Sequence, residues 1–171
     1  MRITDLKINH MKTPFVDTLP EISWKIESDE KDVLQEAYQI SIYDNVSEIW
    51  NSGKINSRKQ RFVECVGNLK PSKKYSVTVT VWDNKGNIAT NDTFFRTGLL
   101  KADDWLGRFS KSPFLRNEAK PFVYGVENPP VFFEKEIDVP DEVESAVLYA
   151  SSYGAYYAFL DDKKISDALF A

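Results

Sequence analysis

The chain has one cysteine and one histidine among its 171 residues. A lone cysteine excludes an intrachain disulfide, so packing and hydrogen bonding must hold the fold. Cys65 lies in a stretch, residues 62–66, that reads as a strand, where it serves as a small hydrophobe. A nucleophilic thiol needs a neighbouring base, and His10 is far away in sequence. A basic stripe is also missing. The net charge is -4, and phosphate binding needs clustered Lys and Arg, so nucleic acid is not an expected partner. The short run Arg58-Lys59-Gln60-Arg61 reads as a solvated strand edge whose charges block edge-to-edge pairing. No segment approaches the roughly 18 apolar residues that would cross a bilayer. The first residues, Met1 to Leu6, lack the apolar run of a signal peptide. The expectation is a cytoplasmic protein without a membrane partner. No His/Cys/Asp cluster has metal-ligand spacing and no Gly-rich phosphate loop appears, so no metal or other cofactor is expected.

What is present is aromatic and strand-forming. Aromatics make up 13% of the chain, and the 42% hydrophobic and 28% charged fractions are those of a soluble globular protein. The first hundred residues alternate with period two. Ile3 fits poorly in phase with Leu6 and Ile8, which points to a bulge or an edge. After Pro14 and Pro20, Ile22, Trp24 and Ile26 alternate with Ser23, Lys25 and Glu27. Residues 28–35 form a charged loop. Tyr38, Ile40 and Ile42 alternate next, and Asp44-Asn45 ends that strand. Trp50 precedes a turn at Asn51-Ser52-Gly53, and residues 60–66 form a strand closed by Gly67-Asn68. Tyr75, Val77, Val79 and Val81 share one face; Ser76, Thr78, Thr80 and Trp82 share the other. Residues 83–87 make a hairpin loop with Gly86 at positive φ. Residues 88–97 return, and Gly98 ends the strand. About seven short strands with regular turns predict an immunoglobulin- or fibronectin-III-like sandwich over residues 1–98.

Residues 99–130, with Pro113, Pro121, Pro129 and Pro130, read as linker and irregular chain. Residues 131–137, 145–151 and 154–160 read as strands, with turns at Pro140-Asp141-Glu142 and Asp161-Asp162-Lys163. The expected class is all-β. Residues 131–171 look like the start of a second β domain, a partial, truncated sandwich or jelly-roll-like module. So few strands cannot close over a core. The expectation is that this part is disordered or that its open edges pair with a second copy in a homodimer.

Leu69-x-Pro71-x-x-x-Tyr75 before a Val/Thr strand resembles the fibronectin type III pattern, with Tyr75 as the corner tyrosine and Trp24 as the core tryptophan. A longer set of motifs resembles the bacterial α-L-rhamnosidases. It runs Ser23-Trp24, Gln35-x-x-Tyr38-x-Ile40, Trp50-x-Ser52-Gly53-Lys54, Val81-Trp82-Asp83-x-x-Gly86, Phe95-x-Thr97-Gly98-Leu99 and Asp104-Trp105. Phe133 to Ile137, Ala146 to Tyr149 and Tyr153 to Tyr157 follow in the same order, with Asp161-Asp162 where the family has an Asn-Gly hairpin. The resemblance implies a non-catalytic N-terminal accessory or scaffold region of a glycoside hydrolase that releases terminal L-rhamnose. The catalytic helical barrel would lie well downstream.

The residues agree with an inert fragment. Inverting hydrolysis needs two carboxyl groups about 6.5–9.5 Å apart across a sugar. The adjacent pairs Asp103-Asp104 and Asp161-Asp162 instead read as linker and turn, so no catalytic residue is assigned. The alternative is a stand-alone carbohydrate-binding module, with Trp105, Tyr153, Tyr156 and Tyr157 as platform candidates, although Tyr153 and Tyr157 read first as core. Under the accessory-region reading, rhamnose-containing glycans would be partners through the parent enzyme. A protein-interaction sandwich is a third reading, carried by fold analogy alone.

Overall fold

The computed structural model describes residues 1–11, 14–110, 131–143, 145–152 and 154–165. The chain divides into two compact units, Met1–Leu106 and Gly107–Ala171. No α-helix occurs among the described residues.

The first unit is an all-β, immunoglobulin-like sandwich. Its strands are β1 (Arg2–Ile8), β2 (Phe15–Val16), β3 (Glu21–Glu27), β4 (Gln35–Asp44), β5 (Ser47–Asn51), β6 (Ile55–Asn56), β7 (Val63–Glu64), β8 (Lys74–Asp83) and β9 (Ile88–Thr97). One sheet has the order β1-β3-β7; the other runs β2-β9-β8-β4-β5, with β6 also paired to β4. All pairings are antiparallel except β2 with β9.

Period two explains the core. Tyr75, Val77, Val79 and Val81 on β8 and Tyr38, Ile40 and Ile42 on β4 are buried, facing Ile22 and Trp24 of β3. Register places Ile40 opposite Val79 and Tyr38 opposite Val81, so the apolar side chains stack as cross-strand rows. Cys65 is fully buried in the same core, and burial pushes its thiol up to about 12, which keeps it a neutral hydrophobe. Three hydrogen-bond devices close the ends. The Tyr75 hydroxyl accepts the Lys70 N–H at 2.8 Å. The Thr97 hydroxyl donates to the Lys70 carbonyl and accepts from the Lys73 N–H. Asp83, buried at the head of the hairpin, accepts the N–H groups of Lys85 and Asn87 and the Asn87 amide. Partial desolvation pushes the Asp83 carboxyl up, but these donors outweigh it and hold it below its ordinary value. Gly86 takes φ +82° in that hairpin, as the sequence predicts.

The imperfect phase of β1 is a bulge. Its pairing with β3 shifts register between Thr4 and Lys7, and Asp5 sits there at φ +48°. The bulge keeps Ile3 and Ile8 both inward and turns Asp5 out between Lys7 at 2.6 Å and Lys25 at 2.9 Å. Hydrogen bonds from Lys7 and then Lys25 lower the Asp5 carboxyl to about 2. A depressed carboxylate stabilises the fold above its unfolded value of about 3.9, and that contribution is lost as pH falls toward 2. Asn tolerates the left-handed backbone. Asp5→Asn should therefore lower the urea midpoint at pH 5 and converge on the parent near pH 2. An equal gap at both values would remove the ion-pair account.

Two expectations change. Residues 60–66 form only the two-residue β7, and the basic run 58–61 lies in a loop rather than on a strand edge. The reason is that the loop's carbonyls are already engaged: Gln60 accepts from the Trp24 N–H, and Ser57 and Lys59 accept from the Gln35 side chain. In the second unit, described residues 131–143 and 145–152 carry no strand, against the expected strands at 131–137 and 145–151, and the strand expected at 154–160 is reduced to its last two residues. The pairing found there is β10 (Phe159–Leu160) with β11 (Lys163–Lys164). Asp161 and Asp162 join these strands at φ +46° and +61°, the geometry of a type I′ turn. No described residue of this unit is buried: Phe132, Phe133, Ile137, Leu148 and Leu160 are all exposed. A strand needs a neighbour for its backbone and an apolar face for its side chains, and the described residues of this unit supply neither to 131–137.

Candidate functional site

The residues singled out from sequence fall in three places. Trp24 and Tyr75 are 1% exposed and belong to the first unit's core. Trp24 meets Tyr38 edge-on at 5.3 Å, and Tyr75 stacks on Phe95 at 5.3 Å. Trp105 also lies in the first unit, at the end of a short 3₁₀ turn over Ala102–Asp104, and is 44% exposed. Tyr156 and Tyr157 lie in the second unit. The Tyr156 hydroxyl donates to the Ala150 carbonyl at 3.0 Å, and the Lys164 ammonium sits 4.0 Å from the centre of the exposed Tyr157 ring. Tyr153 lies outside the described residues.

The carboxylates have structural tasks. Asp104 accepts the N–H groups of Leu100 and Lys101, both at 2.9 Å. Asp161 and Asp162 form the β10–β11 turn. Asp44 takes the Lys73 ammonium at 2.6 Å, and Glu27 takes Arg2. Among the described residues no group of three or more His, Cys, Asp or Glu could hold a metal ion.

Sequence reasoning placed Gln35 at the end of the charged loop 28–35 and gave it no contact; it instead opens β4 and is 2% exposed. Its carbonyl accepts the Trp24 indole N–H at 2.9 Å, and its amide donates to the carbonyls of Ser57 at 2.9 Å and Lys59 at 3.0 Å. It therefore ties the core tryptophan to the 57–59 loop. The next residue, Glu36, is the extra residue of a bulge, because β4 slips against β8 between Gln35 and Ala37. Glu36 joins Asn56, Ser57 and Arg58 around a shallow open cavity of about 470 Å³. Ala37 is paired with Asn56 on one side and Trp82 on the other, which places the cavity in the same row as the half-buried Trp82. The Lys54 ammonium lies 4.4 Å from the Trp82 ring. The only sequence signal for this arrangement is the motif that contains Gln35, Tyr38 and Ile40.

Residues 3–101 match the family described as Rha78A-like, N-terminal immunoglobulin domain. The α-L-rhamnosidase of Streptomyces avermitilis is 25% identical over 97% of this chain and 18% of its own length. That of Formosa agariphila is 29% identical over 86% of this chain and 18% of its own length. The chain thus spans under a fifth of these curated relatives. Among solved structures, S. avermitilis α-L-rhamnosidase complexed with L-rhamnose superposes with a TM-score of 0.57 at 29% identity, over 61% of this chain and 11% of that one. The α-L-rhamnosidase from Dictyoglumus thermophilum gives 0.56 at 31% identity, over 61% of this chain and 13% of that one.

Proposed function

The chain belongs, through residues 3–101, to the family of Rha78A-like N-terminal immunoglobulin domains, and from that premise we propose that it is the non-catalytic N-terminal β region of an α-L-rhamnosidase. The observation that carries this reading is the alignment of 97% of the chain with only 18% of a rhamnosidase. Its role there is to scaffold the hydrolase that releases terminal L-rhamnose. The engagement of Asp5 at the β1 bulge, and of Asp44, Asp83 and Asp104 at turns and strand ends, supports a structural use of these carboxylates. The second unit extends this reading. The sequence alignment runs through it, whereas the structural superposition covers 61% of the chain. Its exposed apolar side chains suit a segment packed against further polypeptide of the parent.

The test is an aryl α-L-rhamnoside assay on this polypeptide and on a longer protein that contains it. Turnover by the longer protein and none by this one is the expected result. Rhamnose release by this polypeptide would overturn the non-catalytic reading, and a longer protein inert on every rhamnoside would overturn the parent activity.

A further inference from the structure

We propose that the cavity lined by Glu36, Asn56, Ser57 and Arg58 is a binding site for a neutral saccharide. Three features of the site lead there. First, its groups are the kind that recognise sugar hydroxyls: a carboxylate that accepts, a guanidinium that donates in pairs and an amide that does both. Second, the charged groups are unspent. Among the described residues the Glu36 carboxylate, the Asn56 amide and the Arg58 guanidinium have no hydrogen-bond or ion-pair partner, although Glu36 and Arg58 line one cavity. Opposite charges that share a cavity without pairing leave both free for a ligand that both donates and accepts, as a pair of vicinal hydroxyls does. Third, the walls are held from beneath. The buried Gln35 amide binds the carbonyls of Ser57 and Lys59, and the Ser57 hydroxyl accepts the Lys59 N–H at 3.1 Å. With the flanking carbonyls fixed to the core, the loop carrying Arg58 is set before a ligand arrives, which lowers the ordering cost of binding. The bulge does the same for Glu36 by turning it out of the strand ladder.

On the other sheet Arg2 pairs with Glu27 and Asp5 with Lys7 and Lys25, while Glu21 lies opposite Glu64. The choice of a sugar as the ligand rests on the rhamnosidase reading; the site itself rests on its geometry.

The experiment is an NMR titration of the intact chain with L-rhamnose, with neutral disaccharides and, separately, with sulfate. The expected result is a set of saturable shifts at Glu36, Asn56, Ser57, Arg58 and the Trp82 indole N–H, with sugar affinity in the millimolar range. Glu36→Gln and Arg58→Ala should each weaken that affinity at least tenfold while leaving the thermal midpoint of the first unit in place. No response up to about 50 mM sugar would overturn the proposal. So would shifts that map instead to Trp105, Tyr156 or Tyr157, or a response to sulfate alone. A response to neutral sugars other than L-rhamnose supports the site. The rhamnoside assay judges the parent activity separately, so either idea can fail without the other.

Discussion

Gln35→Leu should destabilise the first unit by about 3 kcal/mol or more, although leucine is a good core residue of similar length. The side chain is buried and uses three of its hydrogen-bonding positions: one to the Trp24 indole N–H and two to the carbonyls of Ser57 and Lys59. Leucine makes none of these bonds, and the partners stay where they are. An unsatisfied buried donor or acceptor costs about 1–3 kcal/mol. The indole N–H is the most enclosed of the three, because Trp24 is 1% exposed. In a domain of about 100 residues each kcal/mol shifts the thermal midpoint by about 4–8 °C, so the drop should be roughly 12–24 °C. Urea unfolding that moves in midpoint and keeps its slope would place the effect in the folded state. Trp24→Phe removes the buried donor itself. In the double variant with Gln35→Leu the loss should therefore be smaller than the sum of the two single losses. Strict additivity, or a single-variant loss under about 1 kcal/mol, would show that the network contributes little.

This network also shows where sequence reasoning stops. Alternation along residues 22–26, 38–42 and 75–81 was legible because a half-buried strand has one periodicity and the side chains alone display it. Tyr75 and Trp24 were legible for the same reason, as large aromatics in strand phase. The loop at residues 57–60 was not legible. Its backbone bonds to the side chain of Gln35 and to the Trp24 N–H, partners more than 20 residues away in sequence, and no local pattern in 60–66 records that. The second unit failed differently. Residues 131–137 alternate like a strand, but alternation gives a face and not a partner, and the pairing among the described residues is confined to 159–160 with 163–164.

The cavity was invisible for a related reason. Glu36 lies on β4, whereas Asn56 is on β6 and Arg58 in the loop beyond it. They share a cavity only because β6 pairs with β4 at Ala37. Trp82 joins their row through a second pairing, and a bulge that no composition rule locates turns Glu36 outward. The aromatic residues chosen from sequence as sugar platforms were chosen by type alone. Type does not tell an exposed ring from one whose hydroxyl is engaged, as in Tyr156, or whose ring carries a lysine, as in Tyr157.

Tyr75→Ala should cost about 3–5 kcal/mol, and Tyr75→Phe should divide that loss into two physical parts. The tyrosine is 1% exposed, its ring stacks on Phe95, and its hydroxyl is the acceptor for the Lys70 N–H. Phenylalanine keeps the ring and the stacking but strands the N–H in a half-buried corner, which costs about 1–3 kcal/mol. Alanine also opens a cavity between the sheets and loses the Phe95 contact. The corner is braced twice, because Thr97 holds the Lys70 carbonyl and the Lys73 N–H. That second brace leads to a sharper expectation. In Tyr75→Phe the corner should stay in place, with slow amide exchange retained at Lys73 and lost at Lys70. In Tyr75→Phe with Thr97→Val both should exchange rapidly, and the combined loss of stability should exceed the sum of the single losses. If Tyr75→Phe alone melts the whole corner, the hydroxyl is the sole fastening and Thr97 is a bystander. If it changes nothing, Tyr75 acts only as a ring, and its place in the motif is explained by volume.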